Sequence, residues 1–232
     1  MKLKLLFLLI SFWSFSQNRP IEIKIDSITS KDSKEYRDRE FTIVYHIKNL
    51  SNNEVSFFLN TKKFIPSSAS SMQYVPTYRL YQNETPIDLG QVFTSNRIVF
   101  TSKDFNQQSI DEYLKNRRDS IKLEYEKINS DPEYAWQKNN KAIMNSIFVL
   151  KPNETKQFVQ QINWDKKRYI KSHDLEYYFD ENHKYSLELE LTLLKSEFQD
   201  RLTKEELEAI MKNENFIKGN YKSNKVEINF KE

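Results

Sequence analysis

The chain has 232 residues, of which 38% are hydrophobic, 30% charged and 14% aromatic, with a formal net charge of +3, two Gly and no Cys. That apolar and aromatic load belongs to a foldable globular protein, and the near-balanced charge gives no reason to expect a nucleic-acid partner. With Gly90 and Gly219 alone and no thiol, phosphate-binding loops, dinucleotide fingerprints, GxSxG elbows, Cys nucleophiles, disulfides and thiolate metal sites are all excluded.

Met1 to Lys4 carries two lysines, Leu5 to Trp13 is apolar apart from Ser11, and Ser14-Phe15-Ser16 places small residues at −3 and −1 before Gln17. Basic, then apolar, then small-x-small is the order of a secretory signal peptide. The apolar run is about half of the ~20 residues that span a bilayer, so an anchor is not expected. Residues 1–16 are therefore expected to be cleaved near Ser16-Gln17, leaving a periplasmic or secreted protein with no later transmembrane segment. Residues 17–232 then form a single elaborated domain, since neither half has strands enough to close a core alone.

Alternation with a period of two recurs along the chain and predicts strands. Ile21, Ile23 and Ile25 alternate with Glu22, Lys24 and Asp26; Phe41, Ile43, Tyr45 and Ile47 alternate with Thr42, Val44, His46 and Lys48. Val55, Phe57 and Leu59 follow a turn-rich link that predicts a hairpin with the preceding strand. Further strands are expected at Tyr78–Leu80, Arg97–Thr101, Ile147–Leu150, Phe158–Trp164, Tyr185–Leu193 and Val226–Phe230. Nine strands without βαβ alternation predict a mainly β chain, an antiparallel β-sandwich.

Helices are expected as insertions, at about 109–144 and 203–214. Ser109 and Glu112 have the spacing of a capping box, and Ile110, Leu114, Ile121, Tyr125 and Ile128 then fall on one helical face. That stripe predicts docking on a sheet or on a second helix, with Arg117 within the stripe, its stem along the contact and its charge reaching outward, and Lys115, Asp119, Lys122 and Glu126 left wet. Asp131-Pro132 predicts the start of the second helix, and Thr203 with Glu206 caps a third. The insertion as a whole covers 104–144.

Phe41 to Ser51 (FTIVYHIKNLS), Val149 to Thr155 (VLKPNET), Tyr185 to Leu191 (YSLELEL) and the final Val226–Phe230 strand together resemble secreted bacterial immunoglobulin-like domains. More distantly, they resemble the BsuPI-type proteinase-inhibitor sandwiches. The resemblance implies an immunoglobulin-like fold, with Tyr185 in the position of a tyrosine corner. It covers about half the mature chain and implies no functional residue.

The densest polar cluster is His173-Asp174-x-Glu176…Asp180-Glu181-x-His183. Imidazoles and carboxylates can hold a divalent ion or form an acid/base pair, so His173, Asp174, Asp180 and His183 are the candidate metal ligands. Their spacing matches no HExxH or EF-hand pattern, and the bland reading is a solvated loop, so neither a metal nor a cofactor is expected. His46 is expected on a sheet surface rather than in a triad, and Arg117-Arg118 and Lys166-Lys167-Arg168 on solvated faces. Phe58 and Tyr81 fall out of phase with the core and are expected beneath the helical insertion, the alternative being an exposed ligand patch. The leading expectation is a non-enzymatic exported binding protein whose partner is a protein or an envelope component, the oligomeric state being open. A metal-binding protein or metal-assisted hydrolase, and a proteinase inhibitor, are the alternatives.

Overall fold

The computed structural model describes residues 19–32, 38–62, 64–67, 74–87, 93–94, 107–165, 183–196 and 198–230. The expected signal segment, residues 1–16, and the expected strand Arg97–Thr101 lie outside them. In chain order the elements are β1 (Ile21–Asp32), β2 (Asp38–Asn49), β3 (Val55–Phe58), β4 (Ile65–Pro66), β5 (Thr77–Gln82), β6 (Thr85–Ile87) and β7 (Phe93–Thr94). There follow helices α1 (Gln107–Ser130) and α2 (Pro132–Met144), strands β8 (Ile147–Leu150), β9 (Thr155–Asp165) and β10 (Tyr185–Leu193), helix α3 (Lys204–Lys212), and strands β11 (Gly219–Lys222) and β12 (Val226–Glu227). The chain is mainly β.

Among the described residues, β1-β2-β9-β7 form one sheet and β11-β10-β5-β4 a second, to which β12 adds on β10 and β6 on β5; β3 and β8 form a separate pair. Pairing between these strands is antiparallel except for the short β4–β5 contact, and a single parallel bridge joins Ser56 of β3 to Phe216. The two large sheets bury their alternate residues in one core. Ile21, Ile23, Ile25, Phe41, Ile43, Tyr45 and Ile47 come from the first; Tyr78, Leu80, Tyr185, Leu187, Leu189 and Leu191 come from the second. Burial also pushes the Tyr45 and Tyr78 phenols up, far above their ordinary pKa. The alternation in the sequence thus translates directly into an inner and an outer face.

Turn chemistry explains three of the corners. Asn83 and Glu84, both at positive φ (47° and 71°), make the two-residue β5–β6 hairpin, the geometry whose twist matches the flanking strands. In Lys151-Pro-Asn-Glu154 the Glu154 N–H donates to the Lys151 carbonyl (3.0 Å), and the Lys151 N–H donates to Oε2 of Glu154 (2.7 Å). That backbone hydrogen bond, with Lys156 and Lys151 nearby, holds the Glu154 carboxyl below its ordinary pKa against a smaller opposing desolvation. The third corner corrects the sequence expectation: β2 and β3 are not a hairpin, because β2 pairs with β1 and β9 while β3 pairs with β8. Buried Asn49 redirects the chain. Its amide donates to the carbonyls of Asn53, Leu150 and Lys151 (2.8, 3.0 and 3.0 Å), and its Oδ1 accepts from the Ser51 N–H.

A second core lies under the helices. Phe58, Ile143, Phe198, Leu202, Ile210 and Phe216 are buried together, with Phe58 edge-on to Phe198 and Phe216 at 4.9 Å each. Phe58 thus lies beneath the helical region, as expected. Helix α2 is capped by Asp131, whose side chain accepts from the Tyr134 N–H, with Pro132 at the first helical position. Helix α3 begins with a capping box between Thr203 and Glu206. Trp136 Nε1–H donates to the Asp200 carbonyl (3.1 Å), and the Asn140 amide donates to the Arg201 carbonyl and Glu206 Oε2 (3.0 and 2.7 Å), fastening α2 to the segment that leads into α3. Helix α1 begins at Gln107, so Ser109 and Glu112 lie within it instead of capping it.

Candidate functional site

Strands β5 and β10 place a polar ladder on the outer face of the second sheet. Their inward residues are Tyr78, Leu80, Leu187 and Leu189, so Arg79, Tyr81, Glu188 and Glu190 must face outward. The Tyr81 hydroxyl donates to Glu188 Oε2 at 2.5 Å, and Lys225 Nζ sits 3.8 Å from the Tyr81 ring centroid. Tyr81 is 7% exposed, but its cover is Lys225 rather than the helical insertion, a correction to the sequence expectation. The cause is register: Tyr81 stands opposite Ser186, two positions from Glu188 and on the same face. Desolvation, then the Glu188 hydrogen bond and charge, push the Tyr81 phenol up to about 12.

Glu188 and Glu190 share the outer face of β10, and Glu190 is the more heavily partnered. Glu190 accepts from Asn220 (3.1 Å) and from Ser67 (3.4 Å), with Lys222 at 3.6 Å and Arg79 at 3.8 Å. Burial alone would raise its pKa; Asn220, Lys222, Arg79 and Ser67 together outweigh that and hold it below the ordinary carboxylate value. A general acid needs a proton near neutrality, and Glu190 is held ionised instead. The ladder ties β11, β10 and β5 together.

His46 faces outward on β2, as expected, and is paired. A register shift between Ile25 and Ser27 leaves Asp26 as an extra residue, and Asp26 Oδ1 then lies 2.7 Å from His46 Nδ1. Gln157 Nε2 donates to the other carboxylate oxygen at 3.3 Å. Among the described residues no hydroxyl nucleophile hydrogen-bonds His46, so the pair lacks the third member of a triad. Of the metal candidates, His173, Asp174 and Asp180 lie outside the described residues, while His183 is half-buried just before β10. Among the described residues no group of three His, Cys, Asp or Glu could hold an ion.

The helical hairpin presents a different surface. One side of α1 docks on α2: Lys138 of α2 pairs with Glu124, the Tyr134 hydroxyl donates to Glu124 (3.4 Å), and Lys127 Nζ lies 4.0 Å from the Tyr134 centroid. Glu124 is held below its ordinary pKa, chiefly by the Lys138 hydrogen bond. Ile128, next to this side, is half-buried, and Lys115, Asp119, Lys122 and Glu126 are wet, as expected; Arg117 is exposed as well, which corrects the expectation that its stem lies along the contact. Ile121 and Tyr125 of the apolar stripe do not dock, being 59% and 66% exposed, and the Ile110 side chain lies outside the described residues. Leu123, outside the stripe, is 66% exposed as well. It lies ~200° around the helix from Ile121, so the stripe template could not find it. The reason is geometric, since α2 is a single helix and covers only one flank of α1. The Leu114 side chain lies outside the described residues.

No helix among the described residues is long and apolar enough to cross a membrane. Comparison with family models, with curated proteins and with solved structures gives no match.

Proposed function

We propose that the chain is an exported, non-enzymatic binding protein, an immunoglobulin-like β-sandwich that holds a protein partner on its helical hairpin. The observation that carries this reading is the exposure of Ile121 and Tyr125 on one face of a helix whose described contacts with α2 lie along another flank. An apolar and aromatic surface flanked by the exposed Arg117 and Lys122 has the composition of a protein-binding patch. Two large sheets sharing one core support the sandwich, and its rigidity suits the display of a variable insertion. The Met1–Gln17 segment supports export, and N-terminal sequencing of the mature protein should begin at Gln17.

Removing 104–144 entire would be a poor test, because Ile143 and Met144 belong to the second core and their loss would bare Phe58. The sharper test is the double variant Ile121→Glu/Tyr125→Glu, at wet positions, compared with the parent chain in pull-downs from envelope extract. The proposal expects specific proteins retained by the parent and lost by the variant at unchanged melting temperature. Identical capture by both, or no capture by the parent, would overturn it.

A further inference from the structure

The outer edge of β1 meets the outer edge of β11 in a groove, and its backbone is the notable part. The Leu50 N–H donates to the Pro20 carbonyl (2.8 Å), which fixes Pro20, Glu22 and Lys24 as the residues that bond toward β2. Antiparallel ladders alternate, so the N–H and C=O of Ile21, Ile23 and Ile25 point away from β2. At Ile25 those groups are taken: Asn224 Oδ1 accepts from the N–H at 2.8 Å, and Nδ2 donates to the carbonyl at 3.2 Å. A side-chain amide is there making both bonds that a neighbouring strand would make. Among the described residues nothing does the same for Ile21 and Ile23. The Ser223 N–H donates to the Leu189 carbonyl (2.9 Å), so by the same alternation Asn220 and Lys222 turn their backbone outward on the facing edge.

The groove between these edges has a volume of about 330 Å³, with Arg19, Glu22, Lys24, Leu50, Tyr221 and Lys222 in its lining. Lys222 is engaged with Glu190, whereas Arg19 and Lys24 have no carboxylate partner among the described residues. We propose that Ile21–Ile23 is a strand-addition site for an extended acidic segment of another protein, bound antiparallel to β1. Backbone bonds to Ile21 and Ile23 supply the affinity, and Lys24 and Arg19 meet acidic residues at the segment's two ends. Asn224 closes the site at Ile25 and sets its length. A second copy of β1 fits less well, because pairing Ile21 with Ile23 of that copy puts Glu22 directly against Glu22. This site is independent of the helical hairpin.

The probe is the acetylated peptide Asp-Val-Thr-Val-Thr-Asp, which in this register sets its first Asp against Lys24, its valines against Ile23 and Ile21, and its last Asp against Arg19. Its twin is N-methylated at both valines. The proposal expects the parent peptide to bind the wild-type protein and the methylated twin to bind about tenfold or more weakly, as the loss of two backbone donors requires. Lys24→Glu, at an exposed position, should weaken the parent peptide about fivefold. Amide exchange at Ile21 and Ile23 should slow on binding, with Glu22 and Lys24 unchanged. No binding, equal binding of the two peptides, or unaltered exchange at Ile21 and Ile23 would overturn the proposal. So would a dimer in sedimentation that Lys24→Glu dissolves, since the edge would then belong to a second copy.

Discussion

The two-sheet body and the helical hairpin carry the same kind of apolar periodicity and use it in opposite ways. In the body, Phe57, Tyr45 and Ile47 meet the inner face of a second sheet and are fully buried. On α1, an equally regular stripe meets a single helix along one flank, and Ile121 and Tyr125 remain in solvent. Periodicity specifies which side chains share a face; only a partner surface decides whether that face is covered. Side-chain truncations should therefore divide sharply between the two regions. Phe57→Ala should cost ~3–5 kcal/mol in urea unfolding, because a buried ring is removed and a cavity left. A cost near zero would place that strand outside the cooperative core.

Asn49→Ala should follow at about 1–3 kcal/mol, since the carbonyls of Asn53, Leu150 and Lys151 would each lose the Asn49 amide, the Asn53 carbonyl keeping the Ser51 hydroxyl and the Lys151 carbonyl the Glu154 N–H. It tests whether one buried amide sends β2 and β3 into different sheets. The Tyr81–Glu188 bond comes next. The Tyr81 pKa is raised from 10.0 to about 12, so its contribution is complete below about pH 10 and lost as pH rises toward 12. That loss should be on the order of 1–2 kcal/mol and should be smaller in Tyr81→Phe. An identical alkaline profile in both proteins would remove the bond from the account. Ile121→Ala should be the smallest, within about ±0.5 kcal/mol, as exposed substitutions usually are. A large cost there would mean that the isolated chain already covers this face.

Much of the body was legible in the sequence, because its strands keep one face for the core. Ile21–Ile25, Phe41–Ile47 and Tyr185–Leu193 reveal their buried sides through alternation alone, and Asp131-Pro132 and Thr203 announce their helices through side-chain caps. Pairing was less legible. A polar link such as Leu50–Asn53 can close a hairpin or cross to another sheet, and the bonds of Asn49 to Leu150 and Lys151 that decide the matter lie about a hundred positions away. Contacts made by register were hidden for the same reason: Asp26 reaches His46 through a bulge, Asn224 reaches Ile25 across the groove, and Tyr81 finds Glu188 on the neighbouring strand. Strand β11, Gly219–Lys222, has too few alternating residues to stand out. On α1 the stripe was visible, but its exposure depends on how much of the helix α2 can cover.

Exposed apolar residues occur on the body as well: Val159 on β9 is 57% exposed, against 66% for Tyr125 on α1. This pair allows the most direct test of the claim that the hairpin, and not the sheet surface, holds the partner. A photoreactive amino acid would be placed at Tyr125 in one protein and at Val159 in another, and each would be irradiated in envelope extract. The account predicts a discrete crosslinked product from position 125 and none from position 159. Crosslinking from 159 alone, or the same product from both positions, would contradict it.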